Sequence, residues 1–219
     1  PAGILLHYAM KANPMPALVQ HVAGLVDGMD VASAGEMRVA LDTVLPPDSI
    51  SFAGPGKKEH ELRSAIAAGV VLNLESAREM EAVAQLGTSL GITPKVAIRI
   101  NPDFALKSSG MKMGGGPQPF GIDAECVPDV LQRLAMLGLD FMGFHIFSGS
   151  QNLNAAALQE AHAKSVQLGI RLAEYAPSPP RWLNIGGGFG VPYFPGERAL
   201  DLAAVGENLQ RLMPEVQRQ

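Results

Sequence analysis

YAMKAN ends an apolar run with a lysine, Lys11, and this setting suits covalent chemistry. An amine partly withdrawn from water gives up some of its charged form and can attack a carbonyl carbon. Taken alone, a solvated strand-end lysine explains Lys11 better, so the motif needs company. IGGGFGVPY supplies some: Gly186, Gly187 and Gly188 follow another apolar run. Three adjacent glycines are entropically costly to order. They also bare backbone N–H groups that can wrap a phosphate dianion. A flexible turn is the plain alternative. The stretch is not GxxxxGK[ST], which argues against a nucleoside triphosphate. It matches GxGxxG only loosely and lies on the last strand, which argues against a dinucleotide fold.

GFHIFSGSQN combines a histidine, an aromatic ring, serines and amides. His145 and Phe147 share one strand face, with Ile146 opposite. On residue chemistry alone His145 is the acid–base candidate. AIRINP carries Arg99 at a strand end, where it could meet a cofactor oxygen, a carboxylate or a structural acid. MDVASAGEM offers Asp30, Ser33 and Glu36. Ser33 and Glu36 fit a helix capping box. Asp30 lies within a strand and needs a partner, for which Lys11 and Arg99 are the candidates. His7 reads as packed in its strand, and His21, His60 and His162 as surface positions on helices. No metal-ligand spacing is present, and the single cysteine, Cys126, cannot supply a zinc set.

The elements that must position these residues alternate regularly. Strand-like runs cover 4–10, 29–33, 50–54, 70–74, 95–100, 139–147 and 182–186. Helix-like runs cover 17–25, 35–41, 59–68, 77–86, 127–137, 155–175 and 200–212. Such alternation predicts parallel strands in an α/β fold. About seven βα units favour an incomplete (β/α)8 barrel of the TIM type over a doubly wound sheet of five or six strands. The singled-out residues follow strands, so they would converge on the C-terminal mouth of the barrel. The Gly/Pro/Met-rich stretch 108–123 has the length of a lid, with Phe120, Gly121 and Ile122 anchoring its return. Both ends of the chain read as cut from a longer protein, and residues 1–219 as one partial barrel domain.

The 219 residues suffice for a sizeable core, and 47% are hydrophobic. A net charge of −4 without a basic cluster argues against nucleic acid as a partner. No apolar run reaches membrane-spanning length, and one cysteine suits a reducing, cytoplasmic setting.

In combination, YAMKAN, VASAGE, RINP, FHIFSGSQ and GGGFGVPY resemble the pyridoxal-phosphate-dependent amino-acid decarboxylases of the alanine-racemase fold type. The diaminopimelate and ornithine/lysine/arginine decarboxylases are the nearest groups. The resemblance runs through nearly the whole chain in the family's order. With GMKMGGGPQPFGID it points to a subgroup associated with exosortase clusters, whose relatives act on carrier-protein-linked amino acids.

The resemblance implies pyridoxal 5'-phosphate, bound through a Schiff base to Lys11. Gly186, Gly187 and Gly188 would wrap its phosphate, with Ser150 adding a hydroxyl and Phe189 lining the site. Asp30 would lie close to the lysine, and Arg99 near the cofactor. Phe147 stands where the family places a histidine stacked on the pyridine ring, so it can stack but cannot supply a proton or charge. His145 then becomes a supporting residue. The family's E-P-G-R acid and its C-terminal β-domain are absent from these residues, which implies little activity from this piece alone. The implied substrate is a small-molecule amino acid, diaminopimelate-like or basic, or one linked to an acyl carrier protein; the implied assembly is a homodimer. A racemase of the same fold, or a non-catalytic cofactor-binding homologue, is the alternative.

Overall fold

The computed structural model describes residues 3–104, 111–112 and 118–218. The parts of the 108–123 stretch at 108–110 and 113–117 lie outside the described residues. Seven strands lie side by side in the order of the chain. They are β1 (His7–Ala9), β2 (Gly28–Val31), β3 (Ile50–Phe52), β4 (Val71–Leu74), β5 (Lys95–Asn101), β8 (Asp140–Ile146) and β10 (Trp182–Asn184). Every neighbouring pair on this path is parallel. Two further short strands, β6 (Met111–Lys112) and β9 (Gly149–Ser150), pair antiparallel, while β7 (Ile122–Asp123) joins β5.

Helices connect the parallel strands, as parallel pairing requires. They are α1 (Pro16–Ala23), α2 (Ala34–Leu41), α3 (Glu59–Ala68), α4 (Ala77–Leu90), α5 (Val127–Met136), α6 (Ala155–Ala173) and α7 (Leu202–Val216). Local chemistry fixes their ends. Ser33, Ser76 and Asn154 accept hydrogen bonds from the N–H groups of Glu36, Glu79 and Ala157, capping α2, α4 and α6. The Ser33–Glu36 motif does act as a cap, although Glu36 reaches back to the N–H of Ala32 rather than of Ser33. Gly69 and Gly91 end α3 and α4 in the left-handed conformation that glycine adopts without a Cβ clash.

Strand alternation separates two environments. Ile50, Phe52, Leu72, Leu74, Ile98, Ile100, Phe144 and Ile146 are buried in the main core, which the helices cover. The residues between them face the other side. There Val71, Ala97 and Met142 form a small apolar cluster with Trp182 against it. Above that cluster the inner face turns polar. Asn73 donates to Ser51, Ser51 donates to Asp30, and Asn184 donates to the same carboxylate. The last of these bonds links β10 to β2, so the sheet curls until its distant strands meet across the interior. This is the wall of an incomplete parallel barrel.

β10 can approach β8 only because Gly143 lacks a side chain. Its φ of +147° is strained for any other residue, and a Cβ there would run into the carbonyl of Trp182. Gly143→Ala is therefore expected to destabilise the fold by about 3 kcal/mol through overpacking and backbone strain. Urea unfolding measures this, and a loss below about 0.5 kcal/mol would contradict the packing described.

Candidate active site

β1 ends at Ala9 and passes into one 3-10 turn, Met10–Ala12. Met10 is fully buried and anchors the turn, while Lys11 next to it is exposed at the mouth. The Lys11 amine lies over the ring of Phe147, 5.2 Å from its centroid. A cation over an aromatic face is attracted by the ring's quadrupole, so the amine rests at this face. Phe147 immediately follows β8. The turn after β10 also lies against it, where a Cβ at Gly186 would come 2.7 Å from the Phe147 ring.

That turn has Gly186 and Gly188 at φ of +71° and +78°. Asn184 accepts from the N–H of Gly186. No hydrogen bond runs from the N–H groups of Gly187 or Gly188 to another described residue. Successive free N–H groups on a backbone of alternating hand form the concavity that binds phosphate. Glycine is needed here for space as well as conformation, so the turn fits a phosphate cradle. Ser150 sits half-buried in β9, in the loop that runs alongside. Phe189 is largely exposed, with its ring edge-on to His162 at 6.3 Å.

Asp30 does not bond to Lys11 or Arg99. Its carboxylate receives Ser51 at 2.7 Å, His7 at 3.1 Å and Asn184 at 3.3 Å. Burial pushes this carboxyl up. The hydrogen bond from His7, attraction from the imidazoles of His145 and His7, and the Ser51 hydroxyl outweigh burial and hold it below the ordinary range. Arg99 is also committed: Glu75 binds it at 2.8 Å, and the Phe120 ring lies under its guanidinium at 4.9 Å. Arg99 is thus held by a structural acid, one of the roles open to it.

Glu75 carries no signal in the sequence beyond its place at the end of an apolar strand. Besides Arg99 it accepts from the N–H groups of Gly54 and Gly121, tying three strand-end loops together. Gly121 and Phe120 do anchor the return of the 108–123 stretch. Lys57 is a second unexpected charge. It is buried, pairs with Glu79 at 2.8 Å, and donates to the carbonyls of Gly54 and Asn73. His162 is buried on α6 instead of on the surface, because its face of the helix packs toward the β10 turn.

His145 lies in β8 between Arg99 and Asn184 in register, and it is buried. Burial first, and then the Arg99 guanidinium, lower its imidazole to about 4 against the opposing pull of Asp30 and Glu75; Lys11 adds to the lowering. It is a neutral ring at neutral pH, unsuited to act as a cation. Its Nδ1 has no hydrogen-bond partner among the described residues.

A family model described as the pyridoxal-dependent decarboxylase, pyridoxal binding domain, matches residues 2–218. The chain belongs to this family. L-glutamyl-[BtrI acyl-carrier protein] decarboxylase of Niallia circulans is 37% identical over 205 residues, 93% of this chain and 48% of the relative. Diaminopimelate decarboxylase of Aquifex aeolicus is 34% identical over 197 residues, covering 89% and 47%. In structure, diaminopimelate decarboxylase from Helicobacter pylori, complexed with L-lysine, superposes with a TM-score of 0.85 at 28% identity, covering 96% of this chain and 54% of the other. The chain spans about half the length of these relatives. The family's cofactor is pyridoxal phosphate, whose phosphate suits the glycine turn and whose aldehyde suits an exposed amine.

The depressed His145 pKa makes stability depend on pH. The free imidazole titrates near 6.5 and the buried one at about 4, so the unfolded chain takes up the proton first as pH falls. Stability present above about pH 6.5 is therefore lost progressively as pH falls, by about 2 kcal/mol from this residue at pH 5 and about 3 kcal/mol toward pH 4. Urea midpoints at about pH 7 and pH 5 are expected to drop less for His145→Leu than for the wild type. Equal drops would contradict the buried neutral imidazole.

Proposed function

We propose that this chain forms the cofactor-binding half of a pyridoxal-phosphate-dependent amino-acid decarboxylase, with Lys11 as the residue that binds the cofactor covalently. One observation carries the reading: the Lys11 amine, the Phe147 ring and the Gly186 turn lie together at one mouth. When bound, pyridoxal phosphate supplies an electrophilic carbonyl and an electron sink for the charge left as CO2 departs.

The chain's own residues divide the remaining work. Lys11 is the nucleophile, and its place on an exposed turn leaves it free to be displaced by a substrate amine. Phe147 offers a flat apolar face on which an aromatic ring can stack and from which water is excluded. It holds no proton, so proton movements on that face fall to other groups. The N–H groups of Gly187 and Gly188, with the Ser150 hydroxyl, would hold the phosphate. Asp30 and Arg99 act from the barrel wall. Each is pinned by neighbours, which fixes the charges facing the site without letting them migrate. Phe189 would line the outer edge of the phosphate turn.

The substrate proposed is an amino acid, free or linked to a carrier protein, since relatives of both kinds match this chain. A homodimer completing each site from its partner fits the family pattern, and a free, exposed Cys126 suits a reducing cytoplasm. Among the described residues, no helix is long and apolar enough to cross a membrane.

The test is CO2 release by the full-length protein, supplied with pyridoxal phosphate. The substrates are meso-diaminopimelate, lysine, ornithine, arginine and carrier-bound glutamate. At least one is expected to release CO2, and Lys11→Ala to fall to background while losing the visible absorbance of bound cofactor. Full turnover by Lys11→Ala would refute the assignment.

A further inference from the structure

Gln151 adopts φ of +54°, the positive-φ exception to glycine among the described residues. A left-handed backbone is sterically disfavoured for a residue with a Cβ. Such a conformation persists where the surroundings over-determine it, and it marks a place to look for function. The side chain of Gln151 is exposed, yet it gives up its freedom to two hydrogen bonds. Its Nε2 donates to the carbonyl of Val191 at 2.7 Å, and the N–H of Val191 donates to its Oε1 at 3.2 Å. One amide thus satisfies both backbone groups of one residue, as a neighbouring strand would.

The next residue continues the pairing through its main chain. Asn152 donates its N–H to Gly188 O at 2.8 Å and accepts from Gly190 N–H at 2.9 Å. Gly190 permits this approach, since a Cβ there would press to 2.9 Å from the Asn152 carbonyl. Gln151 therefore lengthens a short parallel bridge between the loop after β8 and the loop after β10. The Gly186–Gly188 turn has no side chains with which to hold itself. It is fixed upstream by Asn184 on Gly186 N–H and downstream by this bridge.

We propose that Gln151 is a positioning residue for phosphate binding. Its side-chain amide clamps the backbone after β10 so that the Gly187 and Gly188 N–H groups stay aimed at one anion. This rests on the cofactor reading above and adds the residue that keeps the cradle in shape. Only the phosphate of the ligand would meet that turn. Losing Gln151 should therefore weaken recognition of the phosphate while sparing attachment of the aldehyde at Lys11.

The experiment compares binding of pyridoxal 5'-phosphate and of pyridoxal, which lacks the phosphate, to full-length wild-type protein, Gln151→Gly and Gln151→Glu. Gln151→Gly relieves the left-handed strain while removing both hydrogen bonds. Gln151→Glu keeps the shape but cannot donate to Val191 O. Both variants are expected to bind pyridoxal phosphate about tenfold more weakly. Their pyridoxal affinity should match the wild type, with melting temperatures little changed. An unchanged preference for the phosphorylated compound in both variants would overturn the proposal, and so would parallel weakening of both compounds. Wild-type protein with no preference for pyridoxal phosphate would overturn the cofactor reading itself, and the proposal with it.

Discussion

The close approach of the β8 and β10 units organises the mouth of this sheet, and glycines make it possible. Gly143 lies under the Trp182 backbone, Gly169 of α6 against Leu183, Gly186 against Phe147 and Gly190 against Asn152. At each point a methyl group would meet backbone or a packed side chain. Two loops that follow separate strands are thereby pressed into one surface. The aromatic face of Phe147 and the bare backbone of Gly187 and Gly188 become parts of one concavity. Packed interiors have little room to absorb such intrusions, so this geometry is held firmly.

The charges around that surface are arranged by prior commitment. Glu79 holds Lys57, Glu75 holds Arg99, and His7, Ser51 and Asn184 hold Asp30. Ion pairs of this kind contribute little net stability, because desolvation offsets much of their attraction. Their value here is positional. Glu75 joins the loops after β3 and β5 to its own strand end, and Asn184 joins β10 both to β2 and to the glycine turn. Lys11 differs from Lys57 in this respect: it stands exposed, with its amine over the Phe147 ring.

The sequence was most legible where periodicity and punctuation agree. The strand runs at 50–54, 70–74 and 139–147 each contain an observed strand, the run at 95–100 stops one residue short of its own, and the 59–68 helix matches to the residue. Buried parallel strands read as short apolar runs, and capped helices announce their starts. What stayed hidden depends on contacts between distant segments. The partners of Asp30 come from β1, β3 and β10, and no spacing rule names them. His162 looks like a surface histidine until the β10 turn covers it. Glu75 and Gln151 act through backbone N–H and C=O groups of remote loops, which leave no mark in their own neighbourhoods. The motifs themselves stood out because lysine, aromatic ring and triple glycine each follow a strand, and parallel topology gathers strand ends.

Mapping the site of attachment tests the central claim most directly. Full-length protein loaded with pyridoxal phosphate, reduced with borohydride and digested, should carry the label on the peptide containing Lys11. Lys57, buried against Glu79 and two carbonyls, should remain unlabelled. A label on Lys57 or another lysine, with Lys11 unmodified, would contradict the account.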